Sequence, residues 1–222
     1  MIAIIDYGMG NLRSVEKAFA AVGHFAVITS DPEDIAQAER VVLPGVGAFG
    51  AAMDNLRRSG MDQAVTAAVA SGKPFLGICL GLQLLFTESE ELGLHKGLDL
   101  IPGRVIQFFQ PQDRTPETQS LKVPNMGWNE LKVRTPAPPL KDFTPGGMVY
   151  FVHSFYVAPE DQSVVAATAR HGIEFCAAIW KDNIFACQFH PEKSSSLGLG
   201  ILKNFAECPA YRTGSRQRRE KV

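Results

Sequence analysis

Phe75-Leu76-Gly77-Ile78-Cys79-Leu80-Gly81-Leu82-Gln83-Leu84-Leu85-Phe86 carries more structural information than any comparable stretch of the chain. An apolar run that reads as a buried strand enters Gly77, and the backbone must turn sharply at Ile78-Cys79-Leu80. An apolar-periodic helix is then expected to leave from Gly81. This is the layout of a nucleophile elbow, a strand-to-helix turn of pattern Gly-x-Ser-x-Gly, with Cys79 in place of the serine. Both glycines have a steric reason, because such a turn presses two backbone segments together where a β-carbon has no room. A thiol at the start of a helix faces unpaired N–H groups that favour its nucleophilic thiolate form. A lone cysteine is more commonly a buried core residue. The glycines on either side and the strand and helix flanks turn the reading towards chemistry.

Outward from the elbow, the first half alternates strands and helices, the pattern of a parallel sheet with crossover helices. Met1–Ile5, Phe25–Thr29, Arg40–Leu43 and Lys73–Ile78 read as strands. Helices are expected from Leu12 to Val22, from the Asp31-Pro32-Glu33 cap, and after Gly50 through Ala70. After Phe86 the segments Ile101–Phe108, Val123–Val133, Met148–His153, Val164–Ala169, Phe175–Trp180 and Ile184–Phe189 all look extended, which predicts antiparallel additions to a mixed sheet. Leu197–Phe205 reads as a closing helix. Gln110–Lys122 is polar, holds Pro111 and Pro116, and is expected to be a flexible surface loop.

With 222 residues, 45% hydrophobic and 20% charged, the chain suits one large domain with a substantial core. A net charge of −1 gives no reason to invoke nucleic acid or an anionic membrane surface. The only basic run, Arg216 to Lys221, lies past the last periodic segment, so residues 207–222 are expected to form a frayed tail. No apolar run approaches a membrane-spanning length, and the N-terminus lacks the layout of a secretion signal. Cys79, Cys176, Cys187 and Cys208 are scattered without a Cys-x-x-Cys pair, so free thiols in a cytoplasmic protein are expected.

Gly45-Val46-Gly47-Ala48-Phe49-Gly50 matches Gly-x-Gly-x-x-Gly between a strand and a helix. A dinucleotide site, however, wants an acidic residue about 20 positions on, at the end of the next strand. That strand ends in Cys79, so the glycines are assigned another purpose. A cysteine nucleophile needs a base and a group to orient it. His24, His95 and His171 lie in turn-like, polar surroundings. His190 ends an apolar strand and is followed by Pro191 and Glu192, which puts a carboxylate two residues away across a rigid turn. His153 also sits at a strand end but has no carboxylate nearby in sequence. Triad logic favours His190, although a satisfied strand-end histidine has the same spacing. No spacing of His, Cys, Asp or Glu suggests a metal site, and no cofactor is expected. Trp128 and the apolar run Met148–Phe151 read, on composition, as core.

Gly77 to Gln83 together with Cys187-Gln188-Phe189-His190-Pro191-Glu192-Lys193-Ser194 resembles the class I glutamine amidotransferases. Asp6 to Asn11, Pro44 to Gly50, Asn125 to Asn129 and Tyr150 to Ser154 narrow the likeness to one branch, the glutaminase subunits of imidazole glycerol phosphate synthases. It covers Met1 to Phe205. The resemblance implies a flavodoxin-like α/β fold with a central, mostly parallel sheet, helices on both faces and added antiparallel strands, over a domain of residues 1–206. It implies a triad of Cys79, His190 and Glu192 acting on L-glutamine. Oxyanion donors would come from Leu80 and the Val46–Gly47 loop, the latter after a peptide reorientation. Substrate contacts would come from Gln83, Glu91, Ser154 and Phe155, with Gly47 adding a backbone contact. The implied partner is a (β/α)8-barrel cyclase subunit that receives the ammonia, with Asn11, Pro124, Met126, Trp128 and Tyr150 at the interface. The basic tail and the length of the Gln110–Lys122 loop depart from the pattern without touching its motifs.

Overall fold

The computed structural model describes residues 1–109, 115–116 and 118–209. The elements run β1 (Ile2–Ile5), α1 (Leu12–Ala21), β2 (Ala26–Thr29), α2 (Pro32–Gln37), β3 (Arg40–Gly45), α3 (Phe49–Ser59), α4 (Met61–Ala70), β4 (Phe75–Cys79) and α5 (Leu80–Gln83). They continue with β5 (Phe86–Ser89), β6 (His95–Lys96), β7 (Ile101–Gln107), β8 (Asn125–Glu130), β9 (Lys132–Val133), β10 (Met148–His153) and β11 (Phe155–Pro159). The last are β12 (Val165–His171), β13 (Ile173–Lys181), β14 (Ile184–Cys187) and α6 (Ser195–Glu207).

The main sheet runs β2-β1-β3-β4-β14-β13-β11-β7-β5-β6, with β12 and β9 branching off β13. From β2 to β14 every pairing is parallel. From β14 outward the pairings are antiparallel except β5 with β7. The result is the expected α/β fold. Covered strands should be apolar on both faces, and β1 shows how this is met. Ile2 and Ile4 join the cluster of Val15 and Phe19 from α1 and Leu202 and Phe205 from α6. Ala3 and Ile5 join Ile35 from α2, Met53 and Leu56 from α3 and Val65 from α4. Helices therefore cover both faces of the parallel half.

The structure departs from the sequence reading in two places near the site. The helix expected through Ala70 is two helices, broken at Gly60, whose φ of 71° lies in the left-handed region that ends helices. The helix leaving the elbow is a single turn, Leu80–Gln83, and the chain is extended again by Phe86. Its continuation is blocked because the carbonyls of Leu84 and Leu85 accept from the N–H groups of Leu98, Leu100 and Ile101. Apolar periodicity alone does not distinguish such a turn from the start of a longer helix.

Residues 110–114 and 117 of the expected flexible loop lie outside the described residues. Within the described part Thr118 is buried. The tail is described only to residue 209. Among the described residues no helix is long and apolar enough to cross a membrane.

Candidate active site

Three neighbouring parallel strands end together. Gly45 of β3 lies opposite Cys79 of β4, and Cys187 of β14 lies opposite Ile78. Whatever follows these strands therefore converges at one sheet edge, the carboxyl-end crevice where open α/β sheets bind ligands.

The elbow is strained as its motif requires. Cys79 has φ 55° and ψ −108°, a conformation costing on the order of 1–3 kcal/mol outside glycine. A β-carbon on Gly81 would overlap the carbonyl oxygen of Leu43, and one on Gly77 would sit 2.9 Å from the carbonyl oxygen of Gly81. The Cys79 side chain is buried to 7% exposure. All four cysteines are buried. Burial pushes the Cys176 thiol up to about 12, and Cys187 is raised well above its ordinary value by burial and by the charges of Glu192 and Cys79.

After β14 the chain reaches His190 and enters a 3-10 turn, Pro191–Lys193, that swings Glu192 back. His190 Nδ1 donates to Glu192 Oε1 at 2.8 Å, with the two side chains 3% and 1% exposed. That bond leaves Nε2, buried and without a hydrogen-bond partner among the described residues, as the atom placed to exchange a proton. Burial opposes a charge on His190, but the nearby Cys79 sulfur and the Glu192 carboxylate outweigh it and raise the imidazole to about 10. The turn itself is anchored to β10. The N–H of His190 donates to the Tyr150 carbonyl at 2.9 Å. Ser194 Oγ donates to the His190 carbonyl at 2.6 Å and accepts from the Tyr150 N–H at 3.0 Å. Sequence reasoning did not single out Ser194.

His153, the rival base, is occupied on both nitrogens. Nδ1 donates to the Phe155 carbonyl at 2.8 Å and Nε2 accepts from Asn125 Nδ2 at 3.1 Å. Burial holds its pKa down, to about 4, so at neutral pH it is uncharged with no lone pair to spare. His24, His95 and His171 are half-buried, away from the elbow; His171 Nε2 lies 2.9 Å from the Lys122 carbonyl.

A cavity of about 230 Å³ opens beside the thiol, lined by Val46, Gly47, Cys79, Leu80, Gln83, Glu91, Val152, His153, Ser154, Phe155 and His190. It is smaller than the roughly 300–1,000 Å³ of drug-sized sites, a scale suited to an amino acid. Every substrate and oxyanion position expected from sequence thus borders one space. Gln83 Nε2 donates to the Phe155 carbonyl at 3.1 Å and to Gln188 Oε1 at 3.0 Å. Glu91 Oε2 accepts from the Phe49 N–H at 2.7 Å, at the start of α3. Gly47 has φ 98°, and a β-carbon there would strike Met9. Gln188 is fully buried beside the thiol, a placement that no residue pattern around it signals in the sequence.

Among the expected interface positions, Met126 and Trp128 are 64% and 50% exposed. They lie on the two-stranded β8–β10 sheet, where Trp128 pairs with Tyr150. Asn11 and Pro124 are exposed and Tyr150 is half-buried. Composition assigned Trp128 and the Met148–Phe151 run to the core. The structure instead exposes Trp128 and Met148, because no described residue covers the outer face of this short sheet, while Val149 and Phe151 are buried.

A buried thiol on an elbow, with a carboxylate-anchored imidazole beside a small cavity, is the arrangement of nucleophile, base and orienting group that covalent cysteine catalysis requires. The chain belongs to the class-I glutamine amidotransferase family, whose sequence model matches residues 3–208. It is 59% identical over 207 residues to the imidazole glycerol phosphate synthase subunit HisH of Syntrophotalea carbinolica, covering 93% of this chain and 100% of that one. It is 56% identical over 205 residues to the subunit of the same name from Geobacter metallireducens, covering 92% and 97%. Two solved structures share the fold. A glutamine amidotransferase superposes with TM-score 0.69 at 17% identity, over 93% of this chain and 99% of that one. The PurLQS structure from Thermotoga maritima gives 0.67 at 20%, over 92% and 96%.

Proposed function

We infer that the chain is the glutaminase subunit of an imidazole glycerol phosphate synthase, releasing ammonia from L-glutamine for histidine biosynthesis. The observation that carries the chemistry is the 2.8 Å His190–Glu192 pair held beside Cys79 at the cavity. In this mechanism His190 Nε2 takes the thiol proton and the Cys79 sulfur attacks the side-chain amide carbon of glutamine. The oxyanion accepts from the N–H of Leu80 and from the Val46–Gly47 loop. Each such donor is typically worth about 100- to 1,000-fold in rate. The proton on Nε2 passes to the departing nitrogen, and ammonia leaves behind a thioester. Water then gives its proton to His190, attacks the thioester, and frees glutamate and the thiol.

Gln83, Glu91, Ser154 and Phe155 hold the substrate in this reading. The exposed Met126 and Trp128, with Asn11, Pro124 and Tyr150, form the docking face for a (β/α)8-barrel cyclase subunit. The ammonia passes to that partner inside a cytoplasmic heterodimer, which couples glutamine hydrolysis to the synthesis of imidazole glycerol phosphate and a purine precursor. The Tyr150 backbone supports this coupling, lying one hydrogen bond from His190 on the strand that bears this face. Ammonia and glutamate release should be measured for the chain alone and with a barrel cyclase subunit and its phosphoribulosyl ligand. Low activity alone and a sharp rise with the partner are expected. High activity alone would refute the gating, and absence of turnover in both conditions would refute the reading.

A further inference from the structure

The hydrogen bonds behind the cavity form one chain whose polarity can be worked out atom by atom. It starts at the Phe155 carbonyl, which can only accept. His153 Nδ1 therefore donates to it at 2.8 Å, and Gln83 Nε2 donates to it at 3.1 Å. The second N–H of Gln83 goes to Gln188 Oε1 at 3.0 Å. With Oε1 already accepting, the amide of Gln188 has only its Nε2 left to turn towards the sulfur of Cys79, at 3.7 Å. At the far end Asn125 Nδ2 donates to His153 Nε2, which agrees with the His153 proton being on Nδ1.

Two consequences follow. The sulfur of Cys79 meets an N–H donor, which strengthens when the sulfur carries negative charge. Both N–H groups of Gln83 are spent, so the group it offers to the cavity it lines is Oε1, an acceptor. Gln188 is the residue on which both effects depend. Its side chain is fully buried at 0% exposure, and its backbone N–H donates to the Ala177 carbonyl of β13 at 2.8 Å, which fixes the backbone that carries the amide.

We propose that Gln188 is a positioning residue for the amide cleavage, steadying the Cys79 thiolate through Nε2 and fixing Gln83 as a hydrogen-bond acceptor through Oε1. This rests on Cys79 being the nucleophile, so the test uses a reaction that needs no glutamine. Iodoacetamide alkylation of Cys79 should be followed against pH, by peptide mass spectrometry, in the wild type and in the Gln188→Met and Gln188→Glu variants. Loss of one charge-assisted hydrogen bond predicts alkylation at least about tenfold slower at pH 7 in Gln188→Met, with the pH profile moved upward. Gln188→Glu should be slower still, because a carboxylate then faces the sulfur. With glutamine, kcat should fall and KM should rise together in Gln188→Met, since thiol and Gln83 are both released. Alkylation within twofold of wild type across the pH range, in a variant with unchanged melting, would overturn the proposal. A wild type that alkylates readily but does not turn over glutamine would instead overturn the glutaminase reading.

Should both variants fail to fold, the wild type supplies its own measurement. The side-chain amide protons of Gln188 and Gln83, followed by ¹⁵N NMR, should exchange with solvent at least about 100-fold more slowly than those of exposed Gln63. Equal exchange rates would show that the chain of bonds is not maintained, and the proposal would fall.

Discussion

Replacing Glu192 by Gln is the sharpest probe of the site, because it removes a charge and leaves shape and volume almost unchanged. In the wild type the carboxylate sits 2.8 Å from His190 Nδ1 with its side chain 1% exposed, so water does not screen the interaction. Losing a charge-assisted hydrogen bond of this kind costs about 1.5–3 kcal/mol. At about 1.4 kcal/mol per factor of ten, that is a loss of about 10- to 150-fold. A second effect acts through the tautomer. Glu192 Oε2 has no hydrogen-bond partner among the described residues, so none of them keeps an amide at this position from presenting its NH2 to Nδ1. The imidazole would then carry its proton on Nε2 and could not accept one from the thiol. The same fault in serine triads costs about 10⁴-fold. The expected fall in kcat therefore lies between about 10- and 10⁴-fold. KM should hardly move, because Glu192 does not line the cavity. The pKa of His190 should drop from its wild-type value of about 10, because one of the groups raising it is gone. The assay is coupled detection of ammonia with the partner subunit present, and kcat within threefold of wild type would refute the orienting role.

Three further outcomes are expected. Cys79→Ser should fold with a melting temperature within a few degrees of wild type and lose glutamine hydrolysis by more than about 10³-fold; appreciable residual turnover would remove Cys79 as nucleophile. His153 is held at about 4 by burial against an ordinary 6.5, so the unfolded chain binds more protons between those values. Its contribution to stability is therefore present above pH 6.5 and lost as pH falls towards 4, by about 3 kcal/mol in all. Urea unfolding at pH 7 and pH 4.5 should show a loss that shrinks in a His153→Gln variant, and an unchanged loss would mean that other groups carry it. Gly81→Ala drives a β-carbon into the Leu43 carbonyl and should cost about 3 kcal/mol or more. A neutral result in denaturant unfolding would mean that the elbow has slack which its geometry denies.

The parts legible in the sequence are those for which a local constraint leaves a residue-type signature. Gly77 and Gly81 could be read because a β-carbon at either position meets backbone, which has nowhere to go. His190 could be read because its orienting carboxylate lies two residues away across a proline, so sequence spacing and spatial spacing coincide. The features that escaped are set by partners distant in the chain. The one-turn length of α5 depends on N–H groups from Leu98 to Ile101 capturing its last carbonyls. Strand β11 begins two residues after His153, and no turn residue marks the change from β10. Gln188 acquires its environment from Gln83 on α5 and Cys79 on β4, 105 and 109 residues away. The exposure of Trp128 follows from what the β8–β10 sheet lacks on its outer face, which no local pattern encodes.

His190 and His153 explain why the division of labour in the site needed the structure. His153 ends β10 and His190 lies three residues beyond the end of β14, and both are buried, His190 to 2% and His153 to 6% exposure. Burial alone lowers the pKa of each. At His153 burial among Phe108, Phe151 and Phe175 dominates; the bond to the Phe155 carbonyl works against it, the charges of His171 and His190 add to it, and the pKa settles at about 4. At His190 a carboxylate on one side and the sulfur on the other reverse the sign and lift it to about 10. At pH 7 the two rings are thus held in different states a short distance apart along one cavity. One can carry a proton between the nucleophile and the leaving nitrogen, while the other is a fixed neutral support for the Phe155 carbonyl and, through it, for Gln83. Environments that push the pKa values of like residues apart are how acid–base roles are assigned in active sites. Here the assignment traces to Glu192, the only carboxylate that hydrogen-bonds to either ring among the described residues.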